Sequence, residues 1–190
     1  MILPIRAYGD TVLRKKAHEI SPDYPELKEL IFNMFDTMNS AHGIGLAAPQ
    51  IGLDVRLFIV DVSPLADDED YEDIADQLKD FKKVFINAQI LEESGNEWKF
   101  NEGCLSIPDI REDVSRKETI LIEYYDENFV KHTESFSDIR ARVIQHEYDH
   151  IEGVLFTDKL SPLKKKIIKG KLNKITSGDI SVGYKMRFPK

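Results

Sequence analysis

Two periodicities of apolar and polar residues run along this chain, and the segments they mark predict its elements. Leu27, Leu30, Ile31, Met34, Phe35 and Met38 fall at helical spacing, so one face of a helix turns inward there. A second helix is predicted over residues 138–152. There Ile139, Val143, His146 and His150 stand at i, i+4, i+7 and i+11, Ser137 or Asp138 can cap the start, and Gly153 can end it. Residues 55–62, 83–86 and 119–125 are β-rich, and Asp126-Glu127-Asn128 would turn the last of these into a partner over 129–136. The pattern predicts an α+β fold of one domain, with antiparallel β-sheets surrounding the second helix. No internal repeat is present.

Charge divides this picture unevenly. Residues 63–83 hold the acidic run Asp67-Asp68-Glu69-Asp70-Tyr71-Glu72-Asp73, which reads as a solvated insertion with a short helix near 74–78. Residues 159–190 carry ten Lys or Arg against one acid, a net +9 on a chain whose total is −8. Lys164-Lys165-Lys166-Ile167-Ile168-Lys169 reads as a basic helix, either a solvated surface or a face able to contact ribosomal RNA, and residues 179–188 can add a last edge strand. The predicted layout is therefore a catalytic part, 1–161, and a basic C-terminal extension, 162–190, of the same domain. At 190 residues and 42% hydrophobic the chain can bury a sizeable core. The start of the sequence has no long apolar stretch and no run of about 18 apolar residues occurs. Neither a signal peptide nor a membrane span is expected. The single cysteine excludes an internal disulfide, in keeping with a cytoplasmic location.

Candidate chemistry lies on the second helix, where His146-Glu147-Tyr148-Asp149-His150 spells H-E-x-x-H. Positions i and i+4 share a helix face, so both imidazoles can reach one divalent ion, while Glu147 can act as a base on a water held there. The alternative is a pair of core histidines satisfied by hydrogen bonds. No histidine follows His150, and Glu152 faces away, so a third ligand has to come from upstream. Cys104, in Asn101-Glu102-Gly103-Cys104-Leu105-Ser106-Ile107-Pro108, is a candidate, because thiolate suits zinc or ferrous iron; its other reading is an inert buried thiol. A third segment, His42-Gly43-Ile44-Gly45-Leu46-Ala47-Ala48-Pro49-Gln50-Ile51-Gly52, contains G-x-G-x-x-A. A helix precedes it and a strand follows, the reverse of the dinucleotide-binding order. These glycines instead let a loop come close to a ligand, with the Gln50 amide aimed at it, or they form an ordinary connection.

Taken together, Gly43–Gln50, Glu102–Ser106 and Gln145–His150 match, in order, the three motifs of the peptide deformylases, and from the N-terminus to about Ser161 the chain resembles that family. The resemblance implies hydrolysis of the formyl group from N-formyl-methionyl nascent peptides, with release of formate. It implies Cys104, His146 and His150 as metal ligands, Glu147 as acid/base, and Gln50 with the Leu105 backbone N–H as an oxyanion hole. Backbone groups of Ile44, Gly45 and Gly103 would hold the peptide, and Arg111 would lie at the cleft mouth. Ile44, Phe100, Ile139, Val143 and the His146 ring would form a methionine pocket. Arg142, polar beside that group, is expected to point outward. The metal implied is one Fe2+ per chain, with Zn2+ or Ni2+ able to substitute. No DNA or membrane partner is implied. An H-E-x-x-H peptidase and a binding module descended from an enzyme are the rival readings; the first lacks its downstream ligand, and the second would be expected to have lost a ligand or Glu147.

Overall fold

The computed structural model describes residues 1–189; Lys190, the last residue of the predicted basic extension, lies outside them. In chain order the elements are β1 (Ile5–Arg6), α1 (Leu27–Ser40), β2 (Gly45–Ala47), β3 (Leu57–Asp61), α2 (Ala75–Leu78), β4 (Lys82–Cys104), β5 (Ile107–Tyr125), β6 (Lys131–Phe136), α3 (Asp138–Ile151), α4 (Pro162–Ser177) and β7 (Met186–Arg187). Strands β2 to β6 form one antiparallel sheet in sequence order, while β1 and β7 form a separate parallel pair. The fold is thus α+β in a single domain.

Strand β3 explains why a core forms on both sides of the sheet. Its residues Leu57-Phe58-Ile59-Val60-Asp61 are all buried, and alternate side chains of a strand point to opposite faces. Leu57 and Ile59, with Val84 and Ile86 of β4, pack against Ile31, Met34 and Met38 of α1. Phe58 and Val60, with Phe85, pack on the other side against Ile144 and Ile151 of α3. Phe58 stacks on Phe85 with ring centroids 4.7 Å apart. A third cluster joins Ile107, Ile110 and Val114 of β5 to Leu155 and Phe156, and to Ile168, Leu172 and Ile175 of α4. The basic helix therefore buries an apolar stripe against the body of the fold and leaves its lysines outside.

Several local expectations are corrected. The strands at 83–86 and 119–125 are only the inner ends of a hairpin of 23 and 19 residues. Its outer half reads Leu91-Glu92-Glu93-Ser94-Gly95-Asn96-Glu97 along β4, with register shifts on both sides of Ser94. Charges on both faces and bulges erase the period of two that marks a strand in sequence. The glycine-rich loop contains the short strand β2. Residues 179–188 contribute only Met186–Arg187, and parallel to β1. Of the two capping candidates, Ser137 stands at the N-cap without a side-chain bond, and it is Asp138 whose Oδ1 accepts from the Arg140 N–H at 3.0 Å. No helix among the described residues is long and apolar enough to cross a membrane.

Candidate metal centre and cleft

α3 and the tip of the β4–β5 hairpin bring the predicted ligands together. Sγ of Cys104, the last residue of β4, is 3.2 Å from His150 Nε2. One ligand atom from each of Cys104, His146 and His150 lies within 4.8 Å of the others. The two rings share one face of α3, centroids 5.2 Å apart. That span is the scale of a single ion's coordination shell, with bonds of about 2.0–2.3 Å to nitrogen and sulfur. His150 is buried, and desolvation, with the neighbouring His146, drives its pKa well below the usual histidine value. It is therefore a neutral donor, as a ligand must be. For His146 burial acts in the same direction, yet hydrogen bonds to Cys104 and Glu102 outweigh it and hold a proton there. A cation would replace that proton. The donor set fits a divalent zinc or ferrous ion.

Sequence reasoning quoted Glu102 only as part of a motif, and the structure gives it a definite place. Its Oε2 lies 3.0 Å from His146 Nδ1, leaving the opposite ring nitrogen for a ligand. The Glu102 carboxylate also accepts from Arg116 Nε at 2.7 Å, Arg116 Nη2 at 2.9 Å and Arg142 Nη1 at 2.9 Å. Burial would raise its pKa, but the hydrogen bonds from Arg116 and His146 prevail and keep it ionised. Arg116 continues to Asp149 at 2.7 Å. Arg142 does not point outward. It is 2% exposed, donates to the Trp98 and Val114 carbonyls at 2.7 and 3.1 Å, and lies 4.3 Å over the Trp98 ring. The polar residue on an apolar helix face is explained by the buried anion it meets, a partner 40 residues away in sequence.

Glu147 occupies the other side of the centre. Its carboxyl is buried, Oε2 has no hydrogen-bond partner, and burial pushes its pKa up to about 7. A carboxyl poised there can both take and give a proton near neutral pH. Gln50, 1% exposed, accepts the Ala47 N–H on Oε1 at 2.7 Å. That bond sets the amide so that Nε2 faces Cys104 Sγ at 3.5 Å and Ser106 Oγ at 3.4 Å.

These groups open into a cleft of about 580 Å³. Every residue predicted for the site borders it except His150, which lies behind. Ile44, Gly45 and Gln50 come from the loop and β2; Phe100, Gly103, Cys104, Leu105 and Arg111 from the hairpin; Ile139, Val143, His146 and Glu147 from α3. Arg111 is anchored through the Asn101 side chain at 3.0 Å and the Asn101 carbonyl. Two further walls were not read from sequence. Leu65, Asp68, Asp70 and Tyr71 bring the acidic insertion to the cleft, and Tyr184 brings the C-terminal end. Neither carries a motif, so only the fold reveals them.

The profile of the family described as polypeptide deformylase matches residues 2–166. The chain is 64% identical to a peptide deformylase of Christiangramia forsetii over all of its length and 97% of the relative's. It is 61% identical to one of Flavobacterium johnsoniae, covering 99% of this chain and 96% of that one. Among solved structures, a peptide deformylase from Legionella pneumophila aligns with a TM-score of 0.79 at 36% identity, covering 94% of this chain and 98% of that one.

Proposed function

The chain belongs to the peptide deformylase family, a hydrolase family that removes the N-formyl group from nascent peptides, and we propose which of its residues carry out that reaction and with what help. Cys104, His146 and His150 hold one divalent cation. When bound, such an ion supplies Lewis acidity and brings the pKa of a water from about 15.7 toward ~7. Glu147 takes the proton of the attacking water and passes it to the departing amine. The Gln50 amide and the Leu105 N–H meet the charge that develops on the formyl oxygen, a donor of this kind being worth about 3 kcal/mol. Ile44, Gly45 and Gly103 pair with the peptide backbone, Phe100, Ile139 and Val143 receive the methionine side chain, and Arg111 stands at the mouth.

The convergence of one thiolate and two imidazoles beside a buried, unpartnered carboxyl carries this reading. Anaerobic metal analysis paired with formate release from a formyl-Met peptide tests it. Cys104→Ser should lose metal and activity together. Glu147→Ala should keep metal and lose at least about 10²-fold in turnover. Full metal retention by Cys104→Ser would refute the ligand set.

Ferrous iron is the physiological metal in this reading, one per chain, with Zn2+ or Ni2+ able to substitute; a mixed nitrogen and sulfur set accommodates iron and zinc alike. Enzyme prepared in air should then lose activity or carry a replacement metal, because iron and Cys104 are both oxidisable. Equal iron content and activity after aerobic and anaerobic preparation would count against it. α3 is read as the helix that the antiparallel strands enclose, since it packs on β2, β3 and β5 and Arg142 bonds to carbonyls of both hairpin strands. Residues 1–161 form the catalytic part and 162–190 its basic extension. α4 exposes Lys165, Lys166, Lys169, Lys171 and Lys174, a basic face suited to ribosomal RNA in the cytoplasm where nascent chains emerge. Charge reversal at the exposed Lys165, Lys166 and Lys169, which leaves the buried stripe of α4 in place, should weaken ribosome association in a salt-dependent way, and unchanged binding at low salt would dispose of the idea.

A further inference from the structure

The turn that presents Cys104 and Leu105 is braced by the two ends of the chain. β4 and β5 meet through Leu105 and Ser106, with Cys104 paired to Ile107. Loops of two residues in hairpins favour mirror-image turns that need a positive φ at the first central position, yet neither Leu105 nor Ser106 has one. Contacts from outside therefore help to hold this turn. Ser106 O accepts the Tyr8 N–H at 2.8 Å, and Leu105 O accepts the Tyr184 hydroxyl at 2.7 Å. Tyr8 follows β1 by two residues and Tyr184 precedes β7 by two. The parallel pairing of Ile5 with Met186 and Arg6 with Arg187 thus sets both donors against the same turn.

Tyr184 is well placed for more than packing. It is part-buried and borders the cleft. Burial, with the nearby Cys104 and Asp109, raises its pKa, so the hydroxyl keeps its proton and remains a donor. It lies beyond residues 2–166, where the family profile matches. We propose that Tyr184 is a positioning residue for deformylation: its bond to Leu105 O holds the Leu105–Ser106 peptide and, through the Leu105 α-carbon, restrains the preceding Cys104–Leu105 peptide whose N–H meets the developing oxyanion. The proposal rests on the assignment of that N–H to the oxyanion hole.

Tyr184→Phe in the full-length, Zn2+-loaded enzyme tests it, with steady-state kinetics, thermal unfolding and the 13C-carbonyl NMR signal of Leu105 read together. Complete loss of an oxyanion donor costs about 10²–10³ in kcat, so misalignment should lower kcat about tenfold. KM and Tm should stay close to wild type while the Leu105 carbonyl signal moves. If neither the signal nor kcat changes, the proposal is overturned and the oxyanion assignment is untouched. If the signal moves and kcat does not, the bond is not needed to aim the N–H and the proposal is overturned, while the oxyanion assignment stands. A loss that appears only in KM, or only in step with a large fall in Tm, makes Tyr184 a wall or a structural residue and also overturns it. Tyr184→Leu, which removes the ring as well, is the second variant: kcat falling as far as in Tyr184→Phe supports positioning, and a change confined to KM overturns it.

Discussion

The carboxyl of Glu147 rests against the α-carbon of Gly45: a β-carbon at position 45 would lie within 2.8 Å of Glu147 Cγ and Cδ and closer still to Oε1. Gly45 does not have a positive φ, so its lack of a side chain serves proximity and not backbone conformation. Gly45→Ala should therefore fold, with the clash relieved by displacing Glu147. A misplaced acid/base loses much of its contribution of about 10²–10⁴ in rate. The expected result is a fall in kcat of at least about 10²-fold with metal content unchanged, measured by formate release and metal analysis. Near-normal kcat would show that Glu147 can work from a displaced position.

The loop's reason for being glycine-rich was legible in outline, since a helix before it and a strand after it excluded a nucleotide-binding turn. What Gly45 accommodates was not, because Glu147 lies 102 residues later. The same distinction runs through the molecule. α1 was visible because one buried face repeats at helical spacing, α3 because Ile139, Val143, His146 and His150 recur at that spacing although the helix is buried nearly all round, and β3 because a central strand buried on both faces reads as a continuous apolar run. The outer half of the β4–β5 hairpin was hidden, since its charged residues pair through the backbone and need no apolar alternation. At the site, spacing pointed to His146 and His150 as a pair, the absence of downstream ligands sent the search upstream, and the resemblance to the deformylase motifs singled out Cys104. Arg142 was misread because a buried guanidinium is recognisable only once its anion, Glu102, is known to lie beside it. Tyr184 and the acidic insertion reach the cleft through topology that no local pattern encodes.

Glu102 links the metal site to the stability of the fold. It orients His146 and at the same time neutralises the buried Arg116 and Arg142. Removing one partner of a buried ion pair leaves an uncompensated charge and costs about 3–5 kcal/mol. Loss of an orienting carboxylate lowers metal affinity about 10–100-fold. Glu102→Gln should show both effects, in urea unfolding of the metal-free protein and in competitive metal titration. If stability falls while affinity holds, the carboxylate serves the arginines alone.

Burial of Glu147 gives a pH signature independent of catalysis. In the metal-free fold its pKa stands at about 7 against a reference of 4.5. The folded state binds this proton more tightly than the unfolded chain does, so the contribution favours folding below pH 4.5 and is lost as pH rises through about 7. At about 1.36 kcal/mol per unit, the loss across that window approaches ~3 kcal/mol. Glu147→Gln keeps the shape and cannot ionise, and the carboxylates remote from it are common to both proteins. The metal-free variant should therefore gain on the metal-free wild type as pH increases, its advantage in Tm widening by about 5–10 °C between pH 4.5 and 7.5. Thermal melts of the two proteins across that range decide the matter. A constant difference would mean that water or a neighbouring donor already solvates the carboxylate in the folded protein.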